Sequence, residues 1–561
     1  MNLFRLLAAI IAGAALAACE SGDINISPAT IDNSVDNSVG GGGGSNADDI
    51  CAAFVRSGVE FRGSADGNGN CIYDSTFVGP KNNLTEDLLI PALPNGGAHI
   101  FSSSLFVGDT YRTQADLAAA GIAEGGDGPT LTISAGATLA FQTNKDFVIV
   151  NRGSRIIADG TANAPITFTS VSDINGTVGP EDVQQWGGIV INGFGVSNKC
   201  RYVGTRGQAG FGIAPGTECS IEAEGSAGDD ESQYGGANDA DDSGILRYVV
   251  VKHTGATVGN GDELNGISFG GVGSSTIVSN LQVYSTFDDG VEMFGGSVDI
   301  NNLVAVYVRD DAIDIDEGYD GTISNALVIQ SQTDGNHCIE ADGLGSYSSL
   351  DQATKDDFIA RDLNSAPTIN NLTCIVSANV PGTHDPGAGW RLREGIHPVI
   401  NDALVVSSFG TNDQGSGSDN YCLRIDSAET QAAALAGDLQ LNSVIFACQE
   451  NAKGNAFGTF ADEQAWAEST GNQFASIADG TAVDATAAAD AGLQILDGAQ
   501  KFYSLAWDTS LVDDAAPVGT TAPTSGNAGD YLGGVIEAND WTRPWAYGID
   551  PGNRGQDLWF E

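Results

Sequence analysis

One periodicity constrains this chain more than any other feature. An Asn followed by an apolar residue returns at Asn280-Leu281, Asn302-Leu303 and Asn325-Ala326, 22 and then 23 residues apart. Ahead of each Asn lies a short alternating run, Ile267-Ser268-Phe269, Val291-Glu292-Met293 and Ile313-Asp314-Ile315. After it comes a second apolar run, Leu281 to Tyr284, Leu303 to Val306 and Ala326 to Ile329. Two or three short strands in roughly two dozen residues is the length of one solenoid coil. Stacked coils pair edge to edge and bury their inward side chains against the coils on either side. The Leu-x-x-Leu-x-Leu pattern of a leucine-rich horseshoe is missing, and a propeller blade takes about 40 residues of antiparallel strand. The fold expected is all-β, a right-handed parallel β-helix. Asn at each turn suits a left-handed backbone and a ladder between coils, so it is assigned no chemistry.

The same texture starts near Thr130. TLTISAGATLAF, FVIVNRGSRIIADGTANAPITFTS and WGGIVINGFG alternate apolar and polar residues between Gly, Asn and Asp, with little helical periodicity. The β-helix is therefore expected over residues 130–449. Residues 49–129 are expected to cap its first coil, because an open sheet edge invites aggregation. Residues 450–561 are expected to form a small, partly helical C-terminal cover. There DEQAWAESTGNQFASIA and ATAAADAGLQIL read as helices, with Trp541 and Trp545 as packing anchors.

The chain opens MNLFRLLAAIIAGAALAAC. Arg5 precedes an apolar run, Leu6 to Ala18, that is too short to span a bilayer comfortably and fits a signal peptide over residues 1–18. Leu16-Ala17-Ala18-Cys19 resembles the bacterial lipobox, which makes Cys19 the expected lipidation site. Several acyl chains on one Cys would anchor stably, since each buried CH₂ contributes about 0.8 kcal/mol. Glu20, rather than Asp, after the Cys fits delivery to the outer membrane. Residues 19–48, with the run Gly40 to Gly44, read as a flexible tether. Apart from Cys19 there remain Cys51, Cys71, Cys200, Cys219, Cys338, Cys374, Cys422 and Cys448. An even set in an exported chain favours disulfides, with sequence neighbours as the expected pairs. Without a Cys-x-x-Cys pair, a zinc or thioredoxin-like reading has no support.

Charge narrows the partners. Lys and Arg total 23 against 73 Asp and Glu, a formal net charge of −50, which repels nucleic acid and anionic lipid. A total alone speaks only to solubility; divalent cation binding needs clustered carboxylates. Aligning the coils on their second strand produces such a cluster. One outward column reads Ser268, Glu292, Asp314, Glu340, Arg391, Arg424, and the next Gly270, Phe294, Asp316, Asp342, Arg393, Asp426. The preceding turn adds Asp288-Asp289, Asp310-Asp311 and Asn336-His337. Coils stack about 4.8 Å apart, where two carboxylates repel by about 1 kcal/mol in water and about 3–4 kcal/mol at an effective dielectric of 20. A bound cation, raised pKa values or the arginines further on must offset this. Ca²⁺ suits flexible all-oxygen ligands, so Asp310, Asp311, Asp314 and Asp316, in RDDAIDIDEGYDG, are the metal candidates, although the segment is not an EF-hand loop. Asp289, Glu292, Glu340, Asp342, Arg391, Arg393 and His337 are the ligand-binding or catalytic candidates. A second acidic segment, GDDESQYGGANDADDSG at 228–244, reads as a soluble loop in preference to an ion-wrapping turn. Trp390 beside Arg391 is open to core packing or to stacking on a sugar.

YGGANDADDSGILRYVVVKHTG, DELNGISFGGVGSST, FDDGVEMFGGSV, RDDAIDIDEGYDG and the terminal DYLGGVIEANDWTRPW resemble a family of cell-surface β-helix lipoproteins of Gram-negative bacteria. The resemblance implies an outer-membrane surface lipoprotein, often encoded near TonB-dependent receptors, which makes such a receptor the implied partner. It brings no catalytic residues. Three functions stay open. The first is capture of an extracellular ligand such as a glycan on a Ca²⁺-assisted acidic face. The second is a polysaccharide lyase or glycoside hydrolase, since pectate lyases, alginate lyases and polygalacturonases are parallel β-helices. A hydrolase would draw paired carboxylates from Asp289, Glu292, Asp311 and Asp314; a lyase would need Ca²⁺ and a base such as Lys252, Arg391 or Arg393. That argument is by fold analogy, and the Gly-His-Gly and Arg-x-Lys strings of polygalacturonases are missing. The third is a structural or adhesive surface protein. No Gly-x-Ser-x-Gly elbow, P-loop or dinucleotide fingerprint stands in a supporting context.

Overall fold

A computed structural model of the chain describes residues 50–122, 126–224, 232–257, 263–332, 334–377, 387–407, 421–448, 450–454, 456–474, 504–506, 531–535 and 539–559. Cys19, the leader, the tether and the ATAAADAGLQIL segment lie outside these residues. Among them, two parallel sheets share one core. A ten-stranded sheet takes, in chain order, Leu105–Val107, Val148–Val150, Ile189–Asn192, Ile267–Gly270, Val291–Phe294, Ile313–Asp316, His337–Asp342, Ala388–Arg393, Tyr421–Ile425 and Glu450–Ala452. Between them the chain crosses to a larger sheet, which carries Gly244–Thr254, Ile277–Thr286, Asp299–Val308, Thr322–Ile329, Thr368–Val376, Val399–Ser407 and Gln440–Ala447. Each strand pairs in parallel with its equivalent one coil away. This is a parallel β-helix.

Period-two alternation fills the core. On the ten-stranded sheet Ile267, Val291, Ile313, Ile339, Trp390 and Leu423 stack in one inward column, and Phe269, Met293, Ile315, Ala341, Leu392 and Ile425 in the next. Trp390 is fully buried, edge-on to Phe446 with centroids 5.1 Å apart, so the sugar-stacking option is overturned: its position in the strand's alternation points it into the core. The larger sheet is apolar on both faces. Its inner face joins the same core, while Val304, Val306, Leu327, Ile329, Ile375, Leu404 and Val406 face outward beneath Leu532, Trp545, Ile549 and Leu558. Strands covered on both faces read as near-continuous apolar runs. The C-terminal segment is pinned there by Gly534 N–H to Thr373 Oγ1 (2.9 Å), by a reciprocal pair between Gln282 and the Tyr547 backbone, and by Trp559 Nε1–H to the Gln330 carbonyl (2.8 Å). Gly548, at φ +83°, lies so close to the Tyr284 ring that a Cβ would approach it to 2.3 Å; only glycine fits.

The recurring Asn residues do what the repeat requires. Asn280, Asn302, Asn325 and Asn371 all have φ between +54° and +63°, and Asn325 and Asn371 each donate to the Asn one coil before, at 3.1 and 3.2 Å. Four disulfides join the sequence neighbours Cys51–Cys71, Cys200–Cys219, Cys338–Cys374 and Cys422–Cys448, which suits an oxidising, extracytoplasmic compartment. Parallel pairing begins upstream of residue 130, with Cys71–Tyr73, Ala98–Phe101 and Leu105–Val107 already in register with later strands. The antiparallel hairpin Ala53–Arg56/Val59–Arg62 lies outside it. Helix Phe460–Ser469 overlaps the first half of the first expected helical segment, residues 462–478, whose Gln473–Phe474 instead form a short strand. Among the described residues no helix is long and apolar enough to cross a membrane.

Candidate functional site

The register brings the acidic columns together. Ser268 pairs with Glu292, Glu292 with Asp314, Asp314 with Glu340, Glu340 with Arg391 and Arg391 with Arg424. In the second column Gly270 pairs with Phe294, Phe294 with Asp316, and Asp342 with Arg393. Because both sheet partners and period are fixed by the coil, residues about two dozen apart become neighbours on one face.

Beside this strip runs a ladder in the turn before each strand. Asn265 Oδ1 accepts the Asp289 N–H (3.1 Å), Asp289 Oδ1 accepts the Asp311 N–H (2.9 Å), and Asp311 Oδ1 accepts the His337 N–H (2.7 Å). Each side chain thus holds the backbone of the next coil, and each carboxylate is fixed in place. His337 extends the ladder: Nδ1 lies 2.7 Å from Asp311 Oδ1 and Nε2 lies 2.7 Å from Tyr421 Oη. The small side chain of Ala388, paired with His337, leaves room for the imidazole to reach Tyr421 on the following coil.

Three groups of ligand atoms, each within 4.8 Å of one another, result: Asp289, Glu292 and Asp314; Asp288, Asp289 and Asp310; and Asp311, His337 and Glu340. The expected set of Asp310, Asp311, Asp314 and Asp316 therefore does not converge. Convergence runs across coils, so Asp314, Asp310 and Asp311 fall one to each group, and Asp316 enters none of them. Asp288, absent from the expected ligands, belongs with Asp289 and Asp310. Asn265, Tyr421 and Glu224 were also missed. Asn265 was findable, since it precedes Gly266 as Asp289 precedes Gly290, and so was Tyr421, three residues before Arg424 as His337 is before Glu340; Glu224 reaches the site from a segment with no repeat signature.

Electrostatics divides the face in two. In the later coils acids and arginines balance. Arg391 reaches Glu340 (2.8 Å) and Asp426 (3.4 Å), Arg393 reaches Glu340 (3.2 Å) and pairs with Asp342, and Arg424 reaches Asp426 (2.6 Å). Burial alone would raise the Glu340 carboxyl, but His337, Arg393 and Arg391 outweigh it and hold it below its usual range. In the earlier coils, among the described residues, neither Asp289, Glu292 nor Asp314 forms an ion pair with lysine or arginine. Burial first, then the surrounding carboxylates, raises Asp289, Glu292, Asp311 and Asp314 well above the carboxylate range. Asp288 and Asp316 are both pushed up to about 8, again by burial and then by neighbouring acids. Burial lowers His337 to about 4, so its imidazole is neutral at pH 7.

Donor chemistry tests the fit to calcium. Two of the groups are all-oxygen and share Asp289, which suits Ca²⁺. The third includes an imidazole whose two nitrogens are already engaged, and fits less well. Lys252, one of the expected lyase bases, is elsewhere: its Nζ is 2.7 Å from Asp173 and it lies over the Tyr547 ring on the larger sheet's side. Within the acidic segment 228–244, Asp239 takes a bidentate contact from Arg206 and Asp242 a single hydrogen bond from Arg155 Nη2; residues 228–231 lie outside the described residues.

Two excursions flank the strip. Between Asn192 and Gly244 the chain leaves the coil and carries the Cys200–Cys219 disulfide. After Asp342 it leaves again and forms helix Gln352–Ala360. Glu317, fully buried, joins the first excursion to the strip by accepting from Ser197 Oγ (2.7 Å) and Tyr234 Oη (2.8 Å) and by pairing with Lys199. No curated protein and no solved structure shows a significant match to the chain. Residues 108–493, by contrast, match the family model for a pectate-lyase-like β-helix domain, more than half of the 561 residues; with its stacked parallel coils, the chain belongs to the pectate-lyase-like β-helix family.

Proposed function

We propose that the protein is an outer-membrane lipoprotein, anchored through Cys19, that captures an extracellular glycan on a Ca²⁺-assisted acidic face. The observation that carries this reading is the strip of Asp288, Asp289, Glu292, Asp310 and Asp314, where fixed, largely buried carboxylates face one another. A divalent cation relieves that repulsion and leaves coordination positions for sugar hydroxyl or carboxylate oxygens. Family membership is compatible with a polysaccharide ligand.

Binding is favoured over turnover by the state of the candidate bases. A lysine, arginine or histidine abstracts a proton only in its uncharged form. Arg391 and Arg393 are each engaged by carboxylates, and Lys252 is paired with Asp173. His337 is neutral but only 5% exposed, with Asp311 and Tyr421 on its two nitrogens. A TonB-dependent receptor is the proposed neighbour to which captured ligand passes.

Calorimetric titration of the unacylated mature chain with CaCl₂ tests the reading, followed by a glycan array with Ca²⁺ or EDTA. Saturable Ca²⁺ binding and Ca²⁺-dependent retention of a glycan without product release are expected. Absence of Ca²⁺ binding removes the proposal, and release of unsaturated or reducing ends replaces it with a lyase or a hydrolase. Incorporation of labelled palmitate that is lost in Cys19→Ala checks the anchor.

A further inference from the structure

A cleft of about 650 Å³ lies between the two excursions, within the size range of small-ligand sites. Its charge is opposite to that of the molecule. In a chain with 73 acidic and 23 basic residues, its lining holds Lys199, Arg201 and Arg361 and no carboxylate. Tyr202, Leu350 and Phe358 supply an apolar side. We infer that this cleft binds one negatively charged sugar unit, carboxylated or sulfated, of an acidic glycan. The inference rests on the glycan-binding reading above but uses none of the calcium-facing residues.

The cleft is built in advance. Asn198 fastens the first excursion to the second through two donated bonds, to the Gly343 and Leu363 carbonyls at 3.0 Å each, and one accepted from the Gly345 N–H at 3.0 Å. Arg361 ties the rim: its Nε donates to the Gly204 carbonyl (2.8 Å) and its Nη2 to the Tyr202 carbonyl (2.7 Å). The Cys200–Cys219 bridge holds the wall that carries Arg201. A site whose walls are already fastened loses little conformational freedom on binding.

The cations play different parts. Arg361 is committed to its carbonyls and to Asp357, so it shapes the wall. Lys199 pairs with Glu317, the residue after Asp316, which sets the cleft beside the acidic strip. Arg201 is exposed and, among the described residues, makes no side-chain ion pair, so its guanidinium is available for bidentate contact with a carboxylate or sulfate. The sugar ring would lie against Phe358 and Leu350. A polyanion repelled by the molecule as a whole thus meets a local cation next to the strip on which Ca²⁺ bridges further acidic groups.

Titration of the full mature chain in EDTA with trigalacturonate, a heparin-derived tetrasaccharide and maltotriose tests this. Saturable binding of either acidic probe but not of maltotriose is expected, weakening as NaCl rises. Arg201→Glu should weaken it at least tenfold while leaving the melting temperature and CaCl₂ titration unchanged; Arg201→Lys should retain part of it. A preference for the heparin probe would identify sulfate as the recognised group. If neither acidic probe binds in EDTA, or if Arg201→Glu binds as wild type does, the cleft is not the site, even where Ca²⁺-dependent glycan binding on the strip persists.

Discussion

At the scale of single residues, the strip carries a proton linkage with a definite sign. Asp288, Asp289, Glu292, Asp311, Asp314 and Asp316 titrate higher in the folded chain than carboxylates do in an unfolded one. The folded state therefore binds more protons, and stability falls as pH rises from the unfolded value near 4 through the folded value. The histidines His99 and His337, buried, and His397, half-buried, are lowered by burial and work in the opposite sense below about pH 6.5, the unfolded value. Between pH 6.5 and 8.5 the strip acids change together with two carboxyls outside it, Glu394 and Glu463, which burial raises to about 7 and about 8. In EDTA the denaturation midpoint should drop across that window, where Asp288 and Asp316 lose their protons, and saturating Ca²⁺ should flatten the drop. A midpoint that is flat without Ca²⁺ would mean that these acids are not held protonated. Asp314→Asn removes one charge and no hydrogen bond that holds the backbone. In EDTA at pH 8 its melting temperature should equal or exceed that of the wild type by roughly 1–4 °C, while its Ca²⁺ affinity should fall at least tenfold. A lower melting temperature in EDTA would show that Asp314 acts structurally.

At the scale of strands and turns, the repeat explains both what could be read from the sequence and what could not. The columns Ser268, Glu292, Asp314, Glu340, Arg391 and Gly270, Phe294, Asp316 were legible because one period fixes both the neighbour and the face. The grouping of ligands was not, because reading along RDDAIDID hides that each acid closes on a different coil. Lys252 and Trp390 misled for a related reason: local sequence places them beside suggestive neighbours, whereas alternation and the covering C-terminal segment decide where their side chains go. Long excursions break the period, so Lys199 and Arg201 carried no signal. The Asn ladder makes the repeat testable. Asn325 holds φ +59° and bonds to the Asn on either side. Asn325→Ala should cost about 1–2 kcal/mol for the left-handed backbone plus about 1 kcal/mol for lost bonds. Asn325→Gly should cost less than Asn325→Ala, because glycine takes that backbone freely. Urea denaturation of the two variants measures the difference, and equal losses would place the whole effect in the side-chain ladder.

At the scale of the whole molecule, the two sheets have different outer faces, and the division gives each a separate job. The ten-stranded sheet leaves its charged face to the strip and the flanking excursions. The larger sheet presents an apolar face that the C-terminal segment covers with Leu532, Trp545, Ile549 and Leu558. A solenoid with that face bare would expose a contiguous apolar patch, which marks an association surface in a monomer. Trp545 is 1% exposed and donates its indole N–H to the Trp541 carbonyl at 2.7 Å. Trp545→Ala should therefore cost about 3–5 kcal/mol and loosen the cover before the coils, which are held by their own hydrogen bonds and by disulfides. The variant should bind a hydrophobic dye and self-associate at temperatures where its circular dichroism remains that of a β-helix. Its Ca²⁺ titration should match the wild type, since the strip lies on the other sheet. If Ca²⁺ affinity falls together with the cover, the two faces are coupled through the shared core, and the ligand face depends on the C-terminal segment for its geometry.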